Sequence, residues 1–290
     1  MIMRTVTRFF VVGCIVFGCF PVDAQAQLER VRARPGGPVD EVFWAPSVVV
    51  MPSVANVGAG DLHFTIQHSF GRLSDGASEL WGLDGAANIR FGLDYGLTNR
   101  LSVGAGRSRF DKVYDFRAKW NVLRQTKDDR VPLEVALAAN VGITTLENGF
   151  SFDERLSYTS SLLLARRVSN TLSFQVAPTI SHFNVVFREL DRFGDVVEEE
   201  NTHVALALAA RYVVHAQVSL AVEYIPVLGS RSDGTTNMLS AAVNIETGGH
   251  VFQLFFTSSR WITPQHAIAR NDDAFFDGDI RFGFNVNRVF

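Results

Sequence analysis

The stretch Gly278-Asp279-Ile280-Arg281-Phe282-Gly283-Phe284-Asn285-Val286-Asn287-Arg288-Val289-Phe290 decides the reading of this chain. Ile280, Phe282, Phe284, Val286 and Phe290 share one parity, and Arg281, Gly283, Asn285 and Asn287 share the other. Successive side chains on a β-strand point to opposite faces, so this is a strand with one apolar face and one polar or small face.

The same period of two runs back through the sequence. Leu62, Phe64, Ile66, His68 and Phe70 alternate with His63, Thr65, Gln67 and Ser69, and Ile89, Phe91, Leu93, Tyr95 and Leu97 alternate with Asn88, Arg90, Gly92, Asp94 and Gly96. Val204, Leu206, Leu208, Ala210 and Tyr212 set the same pattern further on. About twelve such segments follow one another, near 61–70, 87–97, 101–109, 114–124, 131–144, 155–167, 171–183, 202–213, 218–228, 237–246, 251–260 and 279–290. A tilted strand needs roughly 9–11 residues to cross a bilayer, whereas strands in water-exposed folds more often stop at about five or six. The predicted fold is therefore all-β: a transmembrane, antiparallel, up-and-down β-barrel of about twelve strands over residues 61–290.

Connection lengths agree. Short turns follow the even-numbered segments, at Thr98-Asn99-Arg100, Val168-Ser169-Asn170 and Thr247-Gly248-Gly249-His250, and long connections follow most odd-numbered ones, at 71–86, 145–154, 184–201 and 261–278. Short turns on one rim and long loops on the other is the layout of outer-membrane barrels. In that setting Phe282, Phe284 and Phe290 are expected to form the C-terminal signal read by the barrel-assembly machinery.

Residues 1–26 read as a secretory signal peptide: Arg4 and Arg8, an apolar run from Phe9 to Phe20, and Ala24-Gln25-Ala26 as a cleavage site. Both cysteines, Cys14 and Cys19, fall inside it, so the mature chain carries no disulfide, thiolate nucleophile or cysteine metal site. Over 290 residues the chain is 47% apolar and 20% charged with a formal net charge of −3, which excludes a disordered chain and a broadly basic nucleic-acid binder. Residues 27–60 break the strand pattern, with Arg30, Arg32 and Arg34, then Pro35-Gly36-Gly37-Pro38, then Val42-Phe43-Trp44-Ala45-Pro46 and a valine-rich run to Val57. Two readings stand: a periplasmic segment packed at the barrel mouth, or a plug folded into the lumen and anchored by Phe43 and Trp44.

At Val42-Phe43-Trp44-Ala45-Pro46, Gly82-Leu83-Asp84-Gly85-Ala86-Ala87-Asn88-Ile89-Arg90-Phe91-Gly92-Leu93-Asp94-Tyr95-Gly96, Glu246-Thr247-Gly248-Gly249-His250-Val251-Phe252-Gln253-Leu254 and Gly278-Asp279-Ile280-Arg281-Phe282-Gly283-Phe284-Asn285, the chain resembles an uncharacterised family of bacterial β-barrel proteins, catalogued as a domain of unknown function and seen chiefly in Bacteroidota. The resemblance covers nearly all of the mature chain. It implies an outer-membrane barrel and no particular activity, so no catalytic residue is carried over.

In a closed barrel the apolar parity faces lipid and the other faces the lumen. That places Arg90, Asp94, Arg117, Lys119, Glu134, Arg211, Glu223 and Glu246 as candidate lumen-lining residues. Two arrangements are open: a charge-paired network filling the barrel, or a selectivity filter for a small polar solute. Small inward residues such as Gly92, Gly104, Ala136, Ala205, Ala207 and Ala221 leave room for a narrow water path, and twelve strands lie between filled eight-stranded barrels and open porins. The function expected is a narrow porin-like channel, against a non-conducting structural or interaction barrel. A hydrolase is the rival from another class, but seven histidines scattered over the chain carry no Ser-His motif, so no enzyme and no cofactor or metal site is expected. Expected partners are outer-membrane lipid and lipopolysaccharide; Glu198-Glu199-Glu200 and Asp272-Asp273 are expected on solvated outer loops, the alternative being divalent-cation contact with anionic lipopolysaccharide. Trp81, Trp120 and Trp261 are expected in interfacial aromatic girdles.

Overall fold

A computed structural model describes residues 36–147, 149–186, 189–190, 196–197 and 200–290. The expected signal peptide, residues 27–35, and Glu198 and Glu199 lie outside the described residues. Twelve long strands form: β1 (Leu62–Arg72), β2 (Asn88–Gly96), β3 (Leu101–Ser108), β4 (Val113–Leu123), β5 (Glu134–Thr144) and β6 (Leu156–Arg167). They continue with β7 (Leu172–Phe183), β8 (Thr202–His215), β9 (Val218–Ile225), β10 (Met238–Glu246), β11 (His250–Thr257) and β12 (Arg281–Val289). Each pairs antiparallel with the next, and β12 pairs with β1, so the sheet closes on itself. Closure leaves no edge whose N–H and C=O groups would face hydrocarbon unpaired.

Alternation in the sequence becomes alternation in burial. On β1 His63, Thr65, Gln67 and Ser69 are buried inside the ring, and on β2, β4 and β8 the outward parity leaves Phe91, Leu93, Phe116, Trp120 and Val204 exposed. Apolar side chains outward and polar ones inward is the inverse of a water-exposed fold, and it fits a hydrocarbon surround. The closing seam carries outward aromatics: Phe284 stacks on His68 with centroids 5.1 Å apart, and Phe282 on Phe70 at 5.8 Å. The Phe290 N–H donates to the Leu62 carbonyl at 2.9 Å, continuing the seam beyond the last strand residue.

Short turns gather on one rim, the near rim, together with the start of β1 and the end of β12. One near-rim connection, 124–133, is longer, because it pairs with the incoming chain: the Val39 N–H donates to the Gln125 carbonyl at 2.8 Å and the Lys127 N–H to that of Gly37 at 2.9 Å. The expected strand 218–228 is interrupted at Pro226, which has no N–H to give; Val227 and Leu228 then resume pairing with β8.

The lumen is occupied from both rims. From the near rim, residues 42–57 run inside the ring, with Val42, Phe43, Val48, Val49, Met51 and Val54 buried against Ala136, Leu163, Ala177, Ala205, Ala207, Ala221 and Ala242. The small wall residues that left room for water in the sequence thus receive a valine-rich segment of the same chain, each buried valine being worth roughly 1.5–3 kcal/mol. From the far rim, connection 258–274 folds inward and carries a short helix, α1 (Pro264–Ala269), whose Gln265, His266, Ala267 and Ile268 are buried. Two expectations are corrected here. Trp261 does not join a lipid-facing girdle: it is buried, its Nε1 donates to the Arg270 carbonyl at 2.7 Å, and its ring stacks on His266 at 5.0 Å. Asp273 is not a solvated loop carboxylate: it is buried and ion-paired with Arg281 at 2.7 Å and with Arg72.

Candidate functional site

An irregular segment inside a barrel needs partners for its backbone polar groups, since a lone buried N–H or C=O is costly. Here the wall supplies them with side chains from around the ring. Gln253 of β11 donates to the Val48 carbonyl at 2.7 Å, Asn285 of β12 to that of Val49 at 3.0 Å, and Asn121 of β4 to that of Val54 at 2.7 Å. Gln175 of β7 accepts from the Val54 N–H and donates to the Pro52 carbonyl, both at 2.9 Å. Two charged residues do most. The Glu223 carboxylate accepts from the N–H groups of Val49, Val50 and Met51 at 2.8–3.3 Å. The Lys119 ammonium donates to the carbonyls of Pro46 (3.2 Å), Ser53 (3.0 Å) and Ala55. Between 42 and 57 the bonds to the wall run to side chains; the segment's backbone–backbone bonds are internal, from Val48 to Met51 and from Ser53 to Pro46.

A second cluster lies on β2, β3 and β4. Arg90 donates from Nε and Nη2 to Asp115 at 2.7 and 2.6 Å and from Nη1 to Gln67 at 2.8 Å. Arg117 donates from Nε and Nη2 to Asp94 at 2.5 and 2.6 Å. Both are two-pronged guanidinium–carboxylate pairs, the strong and directional form. Each reaches across a glycine of β3. In register, Asp94 faces Gly104 and Gly104 faces Arg117, while Gly106 faces Asp115. A Cβ at Gly104 would strike the Asp94 carboxylate and one at Gly106 the Arg90 guanidinium. The Gly-Ala-Gly at 104–106 therefore makes the trough in which the two pairs lie.

The candidates named from sequence divide into three groups. Arg90, Asp94 and Arg117 join in ion pairs; Lys119 and Glu223 hold the inner segment. Glu134 accepts from Asn121 at 2.9 Å, and Arg211 donates to the Glu41 carbonyl at 2.9 Å while its guanidinium lies 5.0 Å over the Trp44 ring. Glu246 is half-buried at the near rim and caps the turn at Gly248. Among the described residues none of Lys119, Glu134, Arg211, Glu223 and Glu246 forms an ion pair within 4.0 Å. Asp115, buried and central to the cluster, was not among the named candidates, although it shares the parity of Arg117 and Lys119.

Two spaces remain. A cavity of about 70 Å³ lies between the inner segment and connection 258–274, bounded by Pro46, Pro52, Ile262 and Pro264 and by the Arg90–Asp115 and Arg117–Asp94 pairs. A vestibule of about 430 Å³ opens at the near rim, lined by Glu41, Trp44, Asp61, Glu134 and Glu246. On the far side, α1 is fastened by Gln265, which donates to Asn140 at 3.3 Å and accepts at its carbonyl from Ser181 at 3.2 Å, and by His266, whose Nδ1 lies 2.7 Å from the Thr263 hydroxyl. Burial holds the His266 imidazole well below its ordinary pKa, and the neighbouring Arg270 adds to the effect.

A family model described as a membrane-bound beta barrel domain matches residues 43–290. No curated protein matches the chain. Among solved structures the chain is similar to a NanC porin (10% identity, 79% of this chain and 98% of that one, TM-score 0.49) and to a KdgM porin (10% identity, 79% and 99%, TM-score 0.45). An OmpF from Salmonella typhi, solved with daunomycin, is also similar, at 8% identity, 79% and 97% coverage and a TM-score of 0.35.

Proposed function

The chain belongs to the family of membrane-bound β-barrel domains (DUF5777), and from that premise we propose that it is a porin-like outer-membrane protein, a narrow channel for a small polar solute held shut by its own residues 42–57. The observation that carries the reading is the way that segment is held. It adds no strand to the wall; glutamine, asparagine, lysine and glutamate side chains grip it, and those groups form a hydrated polar lining once it moves. In this reading residues 42–57 are a plug, the near rim is periplasmic, and Arg90, Asp94, Arg117, Lys119, Glu134, Arg211, Glu223 and Glu246 line the path. Export by a cleaved signal peptide, delivery to the barrel-assembly machinery through the Phe282, Phe284 and Phe290 pattern, and contact with lipopolysaccharide belong to the same proposal.

A second reading, a non-conducting structural or interaction barrel, is favoured by the filling of the lumen from both rims. Planar-bilayer recording of the refolded protein separates the two. Stepwise conductance that grows when residues 42–57 are deleted supports the channel. Bilayers that stay silent with both proteins, each shown to be folded by its β-rich circular dichroism, overturn it in favour of the second reading.

A further inference from the structure

We propose that the near-rim vestibule binds a small organic amine, its ammonium group held between the Glu134 carboxylate and the Asn121 Oδ1. The two acceptors are brought together by a bond of their own. Asn121 donates from Nδ2 to Glu134 Oε1 at 2.9 Å and to the Val54 carbonyl at 2.7 Å. Two acceptors thus fix which end of the amide carries the nitrogen. The oxygen, on the same carbon as that nitrogen, stays beside the carboxylate. It has no partner among the described residues, although Asn121 is only 2% exposed. A buried acceptor left unmet is uncommon and marks a place for a donor.

Register explains the juxtaposition. Asn121 faces Ala136 across β4 and β5 while Leu123 faces Val135, so Val122 is an extra residue on β4. Such a bulge bends its strand and re-aims the side chains beside it. Here it stands where Asn121 and Glu134 both line the vestibule.

Charge is the second ground. Glu134 is buried, and its one hydrogen bond falls on Oε1. The vestibule wall carries four carboxylates, Glu41, Asp61, Glu134 and Glu246, against one guanidinium, Arg124. Among the described residues none of these five has an ion pair within 4.0 Å. Neighbouring cations are spent elsewhere: Lys119 on three backbone carbonyls, and Arg211 on the Glu41 carbonyl and the Trp44 ring. Buried carboxylates are normally paired. An ammonium brings three donors and the opposite charge, so it answers the carboxylate and the amide oxygen together. A metal ion fits less well, because among the described residues no three His, Cys, Asp or Glu side chains gather to hold one. The space, about 430 Å³, also far exceeds what an ion needs, one water taking roughly 10–15 Å³. Trp44, Val57 and Val251 on the wall give an alkyl body an apolar surface.

The site needs no conduction; only the step from bound amine to transported solute rests on the channel reading. The test is calorimetric titration of the full chain, refolded in detergent, with n-butylammonium chloride and separately with calcium chloride at constant ionic strength. Saturable binding of the amine is expected, weakened roughly tenfold by Glu134→Gln, the loss of one hydrogen bond to a charged group. Glutamine keeps the size of the side chain and an oxygen for Asn121. Arg124→Gln removes the competing cation and should tighten binding about threefold, which decides the matter if Glu134→Gln does not refold. Absence of amine binding, binding that Glu134→Gln leaves unchanged, or binding that Arg124→Gln fails to tighten overturns the site. Calcium binding without amine binding overturns it in favour of a metal ion. A barrel that binds the amine yet stays silent in bilayers keeps the site and loses the channel; one that conducts without binding the amine loses the site alone.

Discussion

Lys119 and Glu223 hold the same stretch of chain from walls five strands apart in a ring of twelve, and in opposite senses: the ammonium takes three carbonyls and the carboxylate three N–H groups. Neither has a counter-ion within 4.0 Å among the described residues. Buried charges normally pair with each other; here each is solvated by the backbone of the inner segment, so its withdrawal would strand both charges and segment at once.

Glu223→Ala should therefore loosen residues 49–51. It leaves three N–H groups without their acceptor, at a cost of roughly 1–3 kcal/mol, and amide hydrogen exchange at Val49, Val50 and Met51 should quicken while exchange in β1–β12 stays slow. Unchanged protection at those three amides would show that the carboxylate does not hold them.

Lys119→Met should act on the same segment from the other wall. Because both residues restrain one element, Lys119→Met with Glu223→Ala should cost less than the two single changes added together. Additivity in urea unfolding, within the error of the measurement, would mean that they act independently.

Arg90→Met leaves the buried Asp115 carboxylate without its partner and should cost about 3–5 kcal/mol, whereas Arg90→Met with Asp115→Leu should restore most of the loss. Gly106→Ala should mimic the single change, since its Cβ displaces the guanidinium. Urea denaturation in detergent measures all three. A single change that costs nothing would place the pair outside the stabilising framework.

Acid should release connection 258–274. The His266 pKa is held well below its ordinary value of 6.5 in the folded protein, by burial first and by Arg270 second. An unfolded or released loop thus binds a proton that the docked loop refuses. Docking is at full strength above pH 6.5 and weakens as the pH falls from there toward the folded value. Asp111, 3.9 Å from the His266 Nε2, is the nearest carboxylate, and Trp261 and Phe183 close the remaining sides. Proteolysis of 258–274 should accelerate between pH 7 and pH 5, and His266→Gln should flatten that dependence; equal pH dependence in both proteins would assign the effect to another group.

The strands were legible because hydrocarbon outside and polar groups inside impose a strict period of two, readable from Leu62 to Val289 without any knowledge of pairing. What fills the ring was not, because period says nothing about a segment that is neither strand nor helix. Residues 27–60 left two readings open, and what ties 42–57 to the wall is a set of side chains from separate strands, among them Lys119, Gln175, Glu223, Gln253 and Asn285. For connection 258–274 a signal existed: Trp261-Ile262-Thr263-Pro264-Gln265-His266-Ala267-Ile268-Ala269 is too apolar for a water-facing loop, and it folds inward. Asp115 was legible in principle, by parity with Arg117, but nothing in one sequence shows that Arg90 crosses Gly106 to reach it.

The pairing of β1 with β12 fixes an order of events during biogenesis. The ring cannot shut until the ribosome has finished the twelfth strand and the whole polypeptide has been delivered to the membrane. Residues 42–57 precede every strand and enter by the rim where β1 starts, so their place inside depends on a ring whose last wall is the last to be made.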